Sequence, residues 1–188
     1  MSDPASTGPA PQDSGSRREG IRLGKIAGIP VILAYSWFII AAFTVVVYGP
    51  VLQHNNPALG AAAYYVAFAY ALLLLISVLV HELAHALVSQ ARGIRVLDIT
   101  LFLFGGATRA RVESRGPGDE FLIALVGPLT SGLLAGLFGI VAGLGRHVLS
   151  RPLAGTFGYL AWTNLLLAGF NLVPGFPLDG GRLLRAAI

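Results

Sequence analysis

The segment His81-Glu82-Leu83-Ala84-His85 carries the residues best suited to chemistry. Two histidines at i and i+4 lie one turn apart on the same helix face, so both imidazoles can reach one metal ion. Glu82 sits beside the first histidine. A metal lowers the pKa of the water it binds, and a carboxylate so placed can accept that water's proton as it attacks a carbonyl. No Lys, Arg, Asp or Glu occurs between Lys25 and Glu82. Ionisable groups within a membrane cost roughly 3 kcal/mol on insertion scales, so they mark function rather than packing.

Two histidines leave a catalytic zinc site one ligand short, because three protein ligands and one open position are usual. Asp98, Glu113, Asp119 and Glu120 fall in the stretch that follows the motif helix, and His54 and His147 are expected on the opposite side of the membrane. Asp179 is the only acidic residue after Glu120 and closes Asn171-Leu-Val-Pro-Gly-Phe-Pro-Leu-Asp179-Gly-Gly-Arg182. Pro174 and Pro177 stop a helix and force an extended path. Irregular backbone at membrane depth must be buried in protein or line a cavity, which makes Asp179 the candidate third ligand. A competing role for it is to cap a helix starting near Gly180.

The elements that must position these groups are membrane spans. The chain has 188 residues, of which 55% are hydrophobic and 12% charged, against roughly 25% charged in soluble domains. Mean hydropathy is +0.72. About 20 apolar residues cross a bilayer as a helix, and four stretches qualify, near 30–51, 61–87, 121–144 and 156–172. The expected fold is an α-helical membrane protein of about four transmembrane helices with a short membrane-associated β-hairpin or β-strand segment. Residues 1–20, rich in Ser, Pro and Gly, read as a disordered cytoplasmic tail, and 21–188 as one transmembrane domain. In the third span Gly132 and Gly136 form a small-xxx-small pair that permits close helix packing. Trp37 and Tyr48 are candidate interface anchors.

The strand signal lies in Ile94–Ala110, IRVLDITLFLFGGATRA, with a turn expected at Gly105–Gly106. An open strand edge lining a cavity can take up a peptide as a further strand, which makes Gly105 and Gly106 candidate substrate-contacting residues. The chain has no Cys, which excludes a disulfide framework and a cysteine zinc site. The formal charge of +4 arises from basic residues beside the apolar stretches, so no nucleic-acid partner is expected and the bilayer is the partner. Eleven of the 13 basic residues fall on the side holding the N-terminus, the loop 92–120 and the C-terminus; only Arg146 and Arg151 fall on the other. The positive-inside rule places the first side, with the metal site, in the cytoplasm of a multi-pass cell-membrane protein.

HELAH within a membrane helix, then NLVPGFPLDGG after two further spans, resembles the site-2 protease family of intramembrane zinc metalloproteases. The resemblance covers about 21–188 and extends to the pairs Gly105–Gly106 and Gly127–Pro128. Within the family it is similar to the bacterial subgroup in which a pair of regulatory CBS domains follows the membrane part. It implies Zn2+ held by His81, His85 and Asp179, Glu82 as acid/base, and Asn171 holding the substrate backbone or developing oxyanion. It further implies hydrolysis in or near transmembrane segments of membrane proteins, for example an anti-sigma factor. Where the family often has Asn three residues after the Gly-Pro pair, this chain has Ser131. No CBS domain follows Arg182–Ile188, so the domain reads as truncated at its C-terminal end. The alternatives are a catalytically inactive relative or a membrane metal-binding transporter. Retention of Glu82 speaks against the first, and concentration of the polar groups at one depth against the second. Ser77, Ser89 and Ser131 lack the glycine-rich context of a serine nucleophile.

Overall fold

A computed structural model describes residues 20–103, 105–110, 116–145, 147–175 and 177–188. The tail expected at 1–20 lies outside them apart from Gly20, which opens the first strand. Four helices are long and apolar enough to cross a membrane: α1 (Trp37–Asn55), α2 (Ala62–Ala91), α3 (Pro117–Gly145) and α4 (Arg151–Asn171). A short helix, α5 (Asp179–Ala187), follows α4. Four strands, β1 (Gly20–Ile26), β2 (Ile29–Ala34), β3 (Val96–Phe102) and β4 (Gly105–Ala110), form one sheet in the order β1-β2-β3-β4.

The outer pairs are antiparallel hairpins and the central β2–β3 pair is parallel. Parallel neighbours require a long crossover, and here it consists of α1 and α2 together. The sheet, the start of α1, the end of α2, the start of α3 and the end of α4 therefore share one end of the bundle. The inner sheet face buries Ile29, Val31, Leu33, Ile99 and Leu101 with Ala86 of α2.

Four expectations are corrected in detail. The first span does not start at Pro30, because β2 occupies that segment with Ile29, Val31 and Leu33 buried in alternation. The helix begins only at Trp37, which is 6% exposed and packs in the sheet–helix core, so it is not a lipid-facing anchor. The turn does not fall on Gly105–Gly106: these residues open β4, paired with Phe102 and Leu101, and the chain reverses just before them. Among the described residues, no atom lies within 4 Å of where a Cβ on Gly132 or Gly136 would stand, so neither makes a close helix contact there.

On α2 most buried positions fall into two runs that each advance by four. Ala63, Ala67 and Ala71 come first, then Ser77, His81, His85 and Ser89. α1 approaches the start of this helix closely at Gly49, where a Cβ would stand 2.6 Å from the Tyr64 ring. The polar positions extend the same helix towards the sheet end, where other elements supply their partners.

Candidate active site

His81 and His85 are buried on consecutive turns of α2, at 3% and 5% exposure. Each has its Nδ1 occupied. His85 Nδ1 lies 2.6 Å from the Ile123 carbonyl and His81 Nδ1 lies 2.9 Å from Ser131 Oγ. A carbonyl only accepts, so His85 Nδ1 carries the proton and donates, leaving a lone pair on Nε2. The Ile123 carbonyl comes from α3, one helical turn before Gly127 and Pro128. Gly127 lets α3 press its backbone onto the imidazoles. A Cβ there would stand 2.1 Å from His85 Nε2 and 2.7 Å from His81 Nε2.

Asp179 arrives from the far end of the chain. After α4 the backbone folds back so tightly that a Cβ on buried Gly180 would meet the Leu172 carbonyl at 2.3 Å. Asp179 is the first residue of α5, but no side-chain capping bond forms at the preceding Leu178. Its Oδ2 instead lies 3.1 Å from His85 Nε2 and 3.3 Å from His81 Nε2, and the two Nε2 atoms are 3.1 Å apart. α5 is tethered by Arg185 and Arg182, both paired with Glu120 in the first turn of α3.

This triangle fits a zinc ion. Nitrogen and oxygen ligands at roughly 2.0–2.2 Å from a tetrahedral centre lie about 3.3 Å from one another. Three acceptors, one carrying a negative charge, also repel one another unless a cation sits between them. Among the described residues, His81, His85 and Asp179 are the group of three whose ligand atoms could hold one ion.

Glu82 is 8% exposed and turns towards β4. Its Oε2 accepts a hydrogen bond from Thr108 Oγ1 at 2.8 Å. Gly106 leaves the space the carboxylate arm occupies, since a Cβ there would stand 2.3 Å from Glu82 Cγ. Gly106 thus lies against the Glu82 side chain, while Gly105 starts the edge strand. Asn171 is not drawn into the triangle. It ends α4, and its amide donates to the Leu167 carbonyl at 3.0 Å.

The sequence carried no local sign of three supports: Ser131 Oγ, the Ile123 carbonyl and Thr108 Oγ1. Asp98, a rejected ligand, is instead buried and paired with Arg109 across β3–β4. That hydrogen-bonded carboxylate raises the Arg109 pKa above its ordinary value.

The model of peptidase family M50 matches residues 69–150 and 134–188. The chain belongs to peptidase family M50. A Synechocystis sp. protein provisionally named a zinc metalloprotease is 40% identical over 168 residues, covering 89% of this chain and 44% of that protein. A zinc metalloprotease of Methanocaldococcus jannaschii is 36% identical over 169 residues, covering 89% of this chain and 45% of the relative. The chain thus spans under half the length of these curated M50 relatives. The solved site-2 protease from Methanocaldococcus jannaschii superposes with a TM-score of 0.62 at 32% identity, covering 89% of this chain and 71% of that one. The four-span, four-strand architecture is accordingly the site-2 protease fold, and the M50 chain is a multi-pass membrane protein.

Proposed function

We propose that this M50 chain is the catalytic part of an intramembrane zinc metalloprotease that hydrolyses peptide bonds in or near transmembrane segments of other membrane proteins. The observation that carries the reading is the donor triangle, drawn from α2 and α5, with a buried glutamate on the residue after its first histidine. A bound zinc ion would supply Lewis acidity, polarising a peptide carbonyl and acidifying a water.

The chain's own residues do the rest. His81, His85 and Asp179 would hold the ion. The Ile123 carbonyl and Ser131 fix the two rings so that both Nε2 atoms face inward. Glu82 takes the proton of the attacking water and returns it to the leaving amine. The helices around the site limit access of bulk water, which strengthens each of these interactions. For the substrate backbone, the free edge of β4 offers main-chain hydrogen-bonding groups beside Glu82, with Gly105 and Gly106 imposing no side chain there. An extended peptide added to that edge would pass the carboxylate. Asn171, at the end of α4, is the remaining candidate for contact with the substrate backbone.

The basic residues support a cytoplasmic active-site side. A single-span membrane protein, such as an anti-sigma factor, is the substrate class that suits a site reached from within the bilayer. An inactive relative or a metal transporter would not need Glu82 clamped beside the donor triangle. The test is cleavage of a panel of single-span membrane proteins by the wild type and by Glu82→Gln, with zinc measured in both. The variant should keep zinc and lose cleavage. A Glu82→Gln protein that cleaves at the wild-type rate would overturn the assignment.

A further inference from the structure

We propose that Thr108 is a positioning residue for Glu82, a hydroxyl clamp that presents the carboxylate for proton transfer; the catalytic half of this inference rests on the hydrolytic reading above. The Thr108 hydroxyl lies 2.8 Å from Glu82 Oε2 and 3.1 Å from the Glu82 main-chain carbonyl, so it reaches both the side chain and the backbone of one residue. Thr108 is opposite Ile99 in the β3–β4 register, and Ile99 is fully buried against the helices. The place of the hydroxyl is therefore set by the sheet. Threonine is stiff at χ1, which makes the clamp rigid.

A glutamate needs such a clamp more than most bases do. Its terminal torsion is broad and roughly two-fold, while a general base must stay within about 2.6–3.2 Å of the proton it abstracts. Thr108 engages one oxygen. Two residues earlier on the same strand face, Gly106 gives the arm its place and leaves Oε1 uncovered: a Cβ there would stand 2.3 Å from Cγ and 2.9 Å from Oε1. With one oxygen tied, Oε1 is left to meet the water. β4 thereby orients the base on the same strand whose free edge would receive the substrate.

The experiment uses the full-length protein in phosphatidylcholine vesicles. The probe is a synthetic single-span peptide with a fluorophore and quencher flanking one half of its span. Thr108→Val keeps shape and removes the hydroxyl, and Thr108→Ser keeps the hydroxyl. Loss of the clamp should lower kcat by roughly 10–100-fold, the usual cost of removing a group that orients a catalytic residue. KM and zinc content should stay unchanged, and Thr108→Ser should restore most of the rate. A second readout needs no turnover. In metal-free protein, the infrared difference between wild type and Glu82→Gln isolates the Glu82 carboxylate band, which should shift in Thr108→Val and return in Thr108→Ser. A Thr108→Val protein with the wild-type kcat or an unshifted band overturns the proposal, as does equal impairment of Val and Ser variants or loss of zinc from Thr108→Val. A wild type no faster than Glu82→Gln would sink the protease reading, and the infrared arm would still decide whether the clamp exists.

Discussion

The imidazoles of His81 and His85 face the backbone of α3 across a gap that only glycine can fill, and this makes Gly127 the most exacting position in the site. A methyl group there would stand 2.1 Å from His85 Nε2, so one ring must turn and the donor triangle must open. Gly127→Ala should weaken zinc binding by roughly 10–100-fold, as seen when groups supporting ligands are disturbed. Competition with a chromophoric chelator would measure it, and an unchanged affinity would show that α3 can yield. Asp179→Asn should weaken zinc binding strongly in the same assay. Asp98→Asn should leave it intact, because that carboxylate pairs with Arg109. The three donors that the structure brings together were legible in the sequence because histidine spacing on a helix and a lone carboxylate after two prolines are local patterns. Their supports were not. The Ile123 carbonyl belongs to the main chain and has no sequence signature, and Thr108 meets Glu82 only because β3 and β4 pair in one particular register.

Among the elements, α5 is the one most dependent on others. It is nine residues long, too short to persist alone in water, and it carries Asp179. The Arg185 and Arg182 pairs with Glu120 hold it against α3. Glu120→Ala should leave the four spans folded and reduce zinc retention on dialysis against a weak chelator. Retention equal to wild type would mean that the turn at Gly180 suffices to seat the helix. The strands show where reading by element ran out. β3 and β4 were visible as a β-branched stretch between polar ends. β2 was not, because its outward residues Pro30, Ile32 and Ala34 are as apolar as the buried Ile29, Val31 and Leu33. Alternating burial left no alternating polarity, so the strand merged with the hydropathy of α1. β1 was missed for a related reason: the structure leaves most of it exposed, and a short strand without a buried face has no period to detect.

For the molecule as a whole, the sheet, the turn after α4 and α5 gather at one end of the bundle, and so do most basic residues among those described. Reporter fusions at Ile188 and within the 147–150 turn should report opposite sides, with Ile188 cytoplasmic. A periplasmic or extracellular Ile188 would invert the topology. The four spans were countable from composition because helices crossing lipid must be continuously apolar; the sheet's order depends on a parallel pairing between strands separated by two spans, which no local pattern records. Asp179 and His85 stand 94 positions apart in the chain. At a synthesis rate of about 5–20 residues per second, roughly 5–20 s separate the emergence of the two. Throughout that interval the nascent protein holds two histidines and a glutamate in the bilayer but lacks the third donor. Under the proposed function, the donor set for a zinc ion is completed only once the last two spans and α5 have been made, so the order of translation itself postpones hydrolysis.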